Sequence, residues 1–261
     1  MTTMQATAVR APRFRRGRVR AMVLTAPGVN CDRETLHACR MAGAEAEAVH
    51  LNALLDGQRT IGEYDLLVLA GGFSYGDHLG AGAMLATVLR HRFMDELQRF
   101  VADGRPVLGI CNGFQILSRL GLLGAVSLAP NLSGEFVCRW VRLRVEPSPC
   151  IFLQGLDVLD LPVAHGEGRI VADEDELRSL DDLSPLRYVD NPSGSAHDIA
   201  GLCNPQGNVF GLMPHPERAT RALHHPLWQR SGCECSERNE HSEPAGLQIF
   251  HNAVAYVKRA A

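Results

Sequence analysis

A chain of 261 residues with formal charge −3, 46% hydrophobic and 21% charged residues has the balance of a folded globule, not of a disordered chain. Its length suits one large domain or two small ones, and a globule of that size buries roughly 70–75% of its unfolded surface without disulfide staples. The charge gives no ground for nucleic-acid binding, and no run of about 18 apolar residues is present to span a membrane.

Residues 1–17 carry arginines and no acids and read as a flexible basic tail. A targeting segment would need a long amphipathic run, which they lack. Deleting residues 2–17 is expected to leave activity intact. Residues 18–261 are expected to form a single domain. Residues 18–25 (RVRAMVLT) read as a strand. Asn30 and Asp32 are placed to cap a helix that carries Leu36 and Cys39 and ends at Gly43. Residues 45–50 alternate as a strand does. Residues 64–70 (YDLLVLA) are a short apolar run, expected for a strand buried on both faces. A glycine-rich turn follows. The next helix shows Phe93, Leu97, Phe100 and Val101 at helical spacing and stops at Asp103-Gly104, with Pro106 beyond. Residues 105–110 are strand again, and 112–120 helix. Along 137–146, Val141, Leu143 and Val145 alternate with Arg142 and Arg144, the mark of an antiparallel strand with one wet face. Residues 208–213 return to buried strand, and Leu247, Phe250, Val254 and Val257 mark a final helix. Residues 221–245 read as a polar surface insertion.

Strands alternating with helices predict an α/β fold: a mostly parallel sheet flanked by helices, with an antiparallel edge portion. In such sheets, sites lie at the carboxyl ends of the strands. Gly109-Ile110-Cys111-Asn112-Gly113 sits where a buried strand turns into a helix. That is the setting of a nucleophile elbow, with cysteine in place of serine. Strand and helix approach closely there, so the positions two either side of Cys111 must be small. A helix N-terminus favours thiolate, and the Asn112 N–H is aimed where an oxyanion would form. A buried cysteine between two glycines is the alternative.

A thiolate nucleophile needs a base and a group to orient it. Met213-Pro214-His215-Pro216-Glu217-Arg218 begins at the carboxyl end of strand 208–213, on the same rim as Cys111. If the two prolines hold the segment extended, residues two apart point the same way, and Glu217 can orient His215. A solvated His–Glu pair on a proline-rich turn is the alternative. Residues 70–77 (AGGFSYGD) end the strand at 64–70. Gly71 and Gly72 allow close backbone approach, and the Phe73 N–H is the candidate second oxyanion donor.

Lys258 is the only lysine, so a G-x-x-x-x-G-K-[ST] phosphate loop is excluded. The eight cysteines (31, 39, 111, 138, 150, 203, 233 and 235) follow no secretory signal and suit a reducing, cytoplasmic setting with free thiols. Cys233-x-Cys235 with His224, His225 or His241 could ligate zinc, but the spacing is not that of a standard finger. No metal is assigned to the chain.

Together these segments resemble the class I (triad) glutamine amidotransferases and their flavodoxin-like architecture. Within them the chain is most similar to the glutaminase subunits of phosphoribosylformylglycinamidine synthase. The matching stretches are PGVNCDRET (27–35), GGFSYGDHL (71–79), GICNGFQIL (109–117), AHGEGR (164–169), NPSGS (191–195), residues 199–219 and GLQIFHNAV (246–254). They run in the family's order over about 18–257. The resemblance implies Cys111 as nucleophile, His215 as general acid/base and Glu217 as its orienter. It implies that Gly72, Phe73 and Asn112 shape the oxyanion site and that Gln115 contacts substrate. His165, Glu167 and 191–195 are subfamily marks expected near the active-site mouth or partner face. The implied substrate is L-glutamine. The implied partners are a large synthetase subunit (PurL), which binds ATP and Mg²⁺, and a small subunit (PurS), with no cofactor on this chain. Ala70 stands where the family usually has proline, and Gly80-Ala81-Gly82 replaces a stretch often containing arginine. An amidotransferase of another pathway, a cysteine hydrolase of dienelactone or peptide type, and a scaffold with a dead site are the rival readings.

Overall fold

The computed structural model describes residues 17–229 and 244–261. The expected basic tail up to residue 16, and most of the insertion with Cys233, Cys235 and His241, lie outside the described residues. Five strands run parallel in the spatial order β2 (Glu45–His50), β1 (Arg20–Thr25), β3 (Leu66–Leu69), β4 (Val107–Ile110) and β11 (Val209–Leu212). β3, β4 and β11 are buried end to end, which is why they read as unbroken apolar runs and not as alternation.

From β11 the sheet continues antiparallel through β10 (Ile199–Cys203), β9 (Leu186–Tyr188), β6 (Val137–Val145) and β7 (Val158–His165). On β6, Val141 and Leu143 are buried while Arg142 and Arg144 are exposed. Arg142 forks onto Asp160 of β7 at 3.1 and 3.2 Å. β7 is the outermost strand and carries Pro162, a residue that ladders tolerate at an edge. A separate two-stranded ribbon pairs β5 (Ser127–Ala129) with β8 (Arg169–Val171).

Helices α1 (Asp32–Met41) and α6 (Ala245–Ala260) pack on each other, as do α3 (Ala83–Ala102) and α4 (Asn112–Arg119). The short helices α2 (Leu51–Leu55) and α5 (Glu174–Ser179) complete the set described. No helix among the described residues is long and apolar enough to cross a membrane.

The start of α1 differs from the expectation. Neither Asn30 nor Asp32 caps it: Cys31 is the N-cap residue and makes no side-chain cap bond. The amides of Asn30 and Cys31 instead donate to the Gly71 carbonyl, at 3.3 and 3.1 Å. A tertiary tie to the sheet rim thus outweighs local capping, and it draws the β1–α1 turn against the turn after β3.

Candidate active site

Cys111 lies between β4 and α4 with φ 51° and ψ −103°, a conformation that L-residues rarely adopt. Glycines make the turn possible. A Cβ on Gly113 would overlap the Leu69 carbonyl, and one on Gly109 would stand 2.7 Å from the Gly113 oxygen. The thiol is 5% exposed and faces the Ala164 carbonyl at 3.7 Å. Asn112 is the first residue of α4, so its N–H has no partner within the helix.

His215 and Glu217 follow β11, beside β4 in the sheet. The segment is not extended as the prolines suggested. Pro216–Arg218 forms a single 3₁₀ turn, closed by Arg218 N–H on the His215 carbonyl at 3.2 Å. Proline suits the first position of such a turn, because its missing N–H is not needed there. The turn brings Glu217 Oε1 to 2.7 Å from His215 Nδ1, with both side chains buried. The His215 N–H also donates to the Pro162 carbonyl of β7 at 2.8 Å. β7 is four strands from β11 in the sheet order, so the antiparallel arm curls back over the site. Burial alone would lower the proton affinity of His215. The charges of Glu217 and Cys111, with the sulfurs of Cys111 and Cys31 close to the ring, outweigh it and hold the ring well above the ordinary histidine value.

The turn after β3 departs from the expectation at one atom. The Phe73 N–H donates to the Gly28 carbonyl at 2.8 Å, so it is not a free oxyanion donor here. The cause is a bridge between Gly72 and Val29 that ties this turn to the β1–α1 turn. Gly72 and Phe73 do line the pocket beside Cys111. Gly71 serves another neighbour: its missing Cβ would stand 2.9 Å from His215 Cε1.

The pocket has a volume of about 140 Å³ and is walled by Cys111, Gln115, Phe136, His165 and Glu167 among others. A cleft of about 540 Å³ between α3, α4 and β5 is larger, but it shares only Gln115 with this pocket and contains no cysteine or histidine. Side-chain amides stitch the catalytic helix to the surrounding loops. Asn112 Oδ1 accepts from the Ser74 N–H at 3.2 Å, and Asn112 Nδ2 donates to Gln115 Oε1 at 2.9 Å. Gln115 Nε2 donates to the Glu167 carbonyl at 2.6 Å, and Glu167 Oε2 accepts from the Ala81 N–H at 3.2 Å. Asn112 therefore offers a side-chain brace as well as a backbone donor.

Of the subfamily marks, His165 and 191–195 form one support. His165 is buried, with Nδ1 at 3.0 Å from Asn131 Oδ1, and its ring occupies the space a Cβ on Gly168 would need. Burial first, then the charge of His215, pulls His165 down to about 4, so it is neutral near pH 7. Asn191 Oδ1 accepts from the amides of Ser193, Gly194 and Ser195. Ser193 Oγ then reaches the Gly168 carbonyl at 3.4 Å, and Ser195 Oγ accepts from the Ile170 N–H at 3.1 Å. Asn131, Ala164, Cys31 and Arg218 also touch this neighbourhood and were not singled out from sequence. The one available signal was that Cys31, Ala164 and Arg218 lie inside the matched stretches 27–35, 164–169 and 199–219.

Comparison with known proteins gives the family. Residues 18–257 match the family described as the CobB/CobQ-like glutamine amidotransferase domain. The chain is 40% identical to the phosphoribosylformylglycinamidine synthase subunit PurQ of Dehalococcoides mccartyi, over 93% of this chain and 99% of that protein. It is 41% identical to PurQ of Archaeoglobus fulgidus, over 94% and 99%. Among solved structures it is similar to a chain of PurLQS from Thermotoga maritima, with TM-score 0.74 and 38% identity over 93% of this chain and all of that one. The chain thus belongs to the glutamine amidotransferases, and within them to the PurQ family of phosphoribosylformylglycinamidine synthase subunits.

Proposed function

We propose that this chain hydrolyses L-glutamine to glutamate and ammonia through Cys111, His215 and Glu217. The Cys111 thiolate attacks the side-chain amide carbon. The Asn112 N–H stabilises the oxyanion, at the positive end of α4. His215 protonates the departing ammonia, leaving a thioester. The same ring then takes a proton from water, whose oxygen attacks the thioester and frees glutamate and the thiol. Gly72, Phe73 and Gln115 line the substrate's side of the pocket, with Gln115 as its polar contact. The observation that carries this reading is the buried His215–Glu217 pair, 2.7 Å apart, beside β4 and the strained elbow that carries Cys111.

The ammonia passes to a synthetase subunit of the PurL type. That subunit binds ATP and Mg²⁺ and converts formylglycinamide ribonucleotide to the amidine in purine biosynthesis. A small subunit of the PurS type completes the assembly, and the setting is cytoplasmic. The likeness to the PurLQS chain supports these partners. Phe73 and Phe136 are large exposed apolar residues that line the pocket. This aromatic rim is the face on which the synthetase docks.

The test compares wild type with Cys111→Ala, with and without synthetase, small subunit, ATP and formylglycinamide ribonucleotide. Glutamate release is expected in the full mixture and is lost at least about 10³-fold in the variant, the scale of removing a nucleophile. The variant still supports synthesis from added ammonia in the assembled complex. Glutamine-dependent turnover by Cys111→Ala would overturn the assignment.

A further inference from the structure

His215 has a second sulfur neighbour. Cys31, between β1 and α1, is 1% exposed. Its Sγ, a ring nitrogen of His215 and a carboxylate oxygen of Glu217 all lie within 4.8 Å of one another, and all three residues are buried. Gly71 leaves the room for this. A Cβ there would stand 3.4 Å from both Cys31 Sγ and His215 Nδ1. Glu217 uses Oε1 on His215, while its other oxygen, Oε2, is buried with no hydrogen-bond partner among the described residues. A carboxylate oxygen left so in the interior is costly, and a cation is one way to satisfy it.

Thiolate, imidazole and carboxylate are zinc's ligand types. We propose that Cys31, His215 and Glu217 form a site for one Zn²⁺ ion that inhibits the enzyme. Ordinary zinc–ligand bond lengths in a tetrahedron put donors about 3.5 Å apart. The three atoms lie within 4.8 Å, so the sulfur needs to close by little more than about 1 Å, while the His215–Glu217 contact of 2.7 Å opens to admit the ion. Three protein donors leave the fourth position to water. Binding releases the Cys31 thiol proton. It also takes His215 Nδ1 away from its proton, and the neutral ring then carries its one proton on Nε2. Such a ring has no lone pair to accept a proton and no positive charge with which to protonate ammonia. This last consequence rests on the triad reading, whereas the metal site itself does not.

Arg218 opposes the ion. Its Nη2 donates to Cys31 Sγ at 3.0 Å, and that contact must break before the sulfur can face a metal. Removing the guanidinium should therefore tighten zinc binding, about tenfold if it releases one charge-assisted hydrogen bond.

The test is equilibrium dialysis of the full chain against zinc with elemental analysis, repeated with cobalt(II) to read sulfur–metal absorption. The chains compared are wild type, Cys31→Ala, Cys111→Ala, Arg218→Gln and a Cys233→Ser/Cys235→Ser double variant. Wild type, Cys111→Ala and the double variant are expected to hold one zinc with a sulfur band. Cys31→Ala is expected to lose at least about tenfold in affinity, and Arg218→Gln to gain. Zinc should also inhibit glutamine hydrolysis in wild type and do so less strongly in Cys31→Ala. Binding lost in Cys111→Ala but kept in Cys31→Ala would put the metal on the nucleophile and overturn the proposal. So would no binding, or loss only in the double variant. Should Cys31→Ala fail to fold by circular dichroism, the unchanged or weakened affinity of Arg218→Gln would overturn it instead. Zinc bound as expected to a chain without glutaminase activity would sink the functional reading and leave the site standing.

Discussion

The charge of Glu217 keeps a proton on His215 that burial would otherwise remove. Glu217→Gln keeps the shape and removes the charge, so the ring's proton affinity falls. The glutaminase rate is expected to drop up to about 10⁴-fold, the size of the loss when a triad's carboxylate becomes an amide. The limb of the pH–rate profile that reports His215 should move to lower pH. Rates within threefold of wild type, measured by glutamate release across pH 5–9, would show that Glu217 does not orient the base. At this scale the elbow cysteine and the His–Glu pair were legible as candidates because each sits in a short local pattern. The strand–turn–helix context marks Cys111, and Glu217 follows His215 by only two residues, although a 3₁₀ turn and not an extended segment brings them together. The Phe73 amide was not legible, because its direction is set by Gly28 on another turn. Cys31 was hidden for the same reason: its contact to Arg218 spans 187 residues of sequence.

The parallel strands and the long helices announce themselves by burial, since an unbroken apolar run or a helical stripe is a property of one segment. β7 shows why others did not. Its burial alternates along Leu159, Leu161 and Val163, but Pro162 lies inside the run, and proline argues against a strand until the strand is known to be an edge. β5, β8 and β9 have three residues each, too few for any period to show. The stretch from β7 to β8 nevertheless carries a measurable signature. His165 is held neutral, at about 4 against an ordinary 6.5, by burial and then by the charge of His215. Between those two values the unfolded chain binds more protons than the folded one, so stability rises with pH across the window. The contribution is fully present above pH 6.5 and is lost as pH falls towards 4, by about 3 kcal/mol at most. His165→Gln removes that titration. Urea unfolding at pH 4.5 and 7 should show a smaller difference between the two pH values in the variant than in wild type. An equal difference would mean that His165 is solvated or charged when folded.

At the scale of the whole molecule, the sheet divides the labour. Its parallel half aligns the ends of β3, β4 and β11, which places the elbow and the His–Glu turn on one rim. Its antiparallel arm returns over that rim, so that Pro162 and Ala164 of β7 touch His215 and Cys111. Cover on that side leaves the mouth framed by Phe73 and Phe136, whose rings lie 6.3 Å apart, at 44% and 54% exposure. Large aromatic side chains left that exposed beside a pocket are an interaction face, and aromatic anchors carry much of the energy of such faces. Phe136→Asp puts a charge where the docked synthetase would have to desolvate it. Glutamine-dependent synthesis should fall at least about tenfold as association weakens by 1.4 kcal/mol or more. Ammonia-dependent synthesis by the same synthetase should not change. The ratio of the two rates separates docking from chemistry, since a damaged synthetase loses both and a damaged interface loses only the first. Both rates unchanged, with binding intact by sedimentation, would move the partner to another face of the molecule.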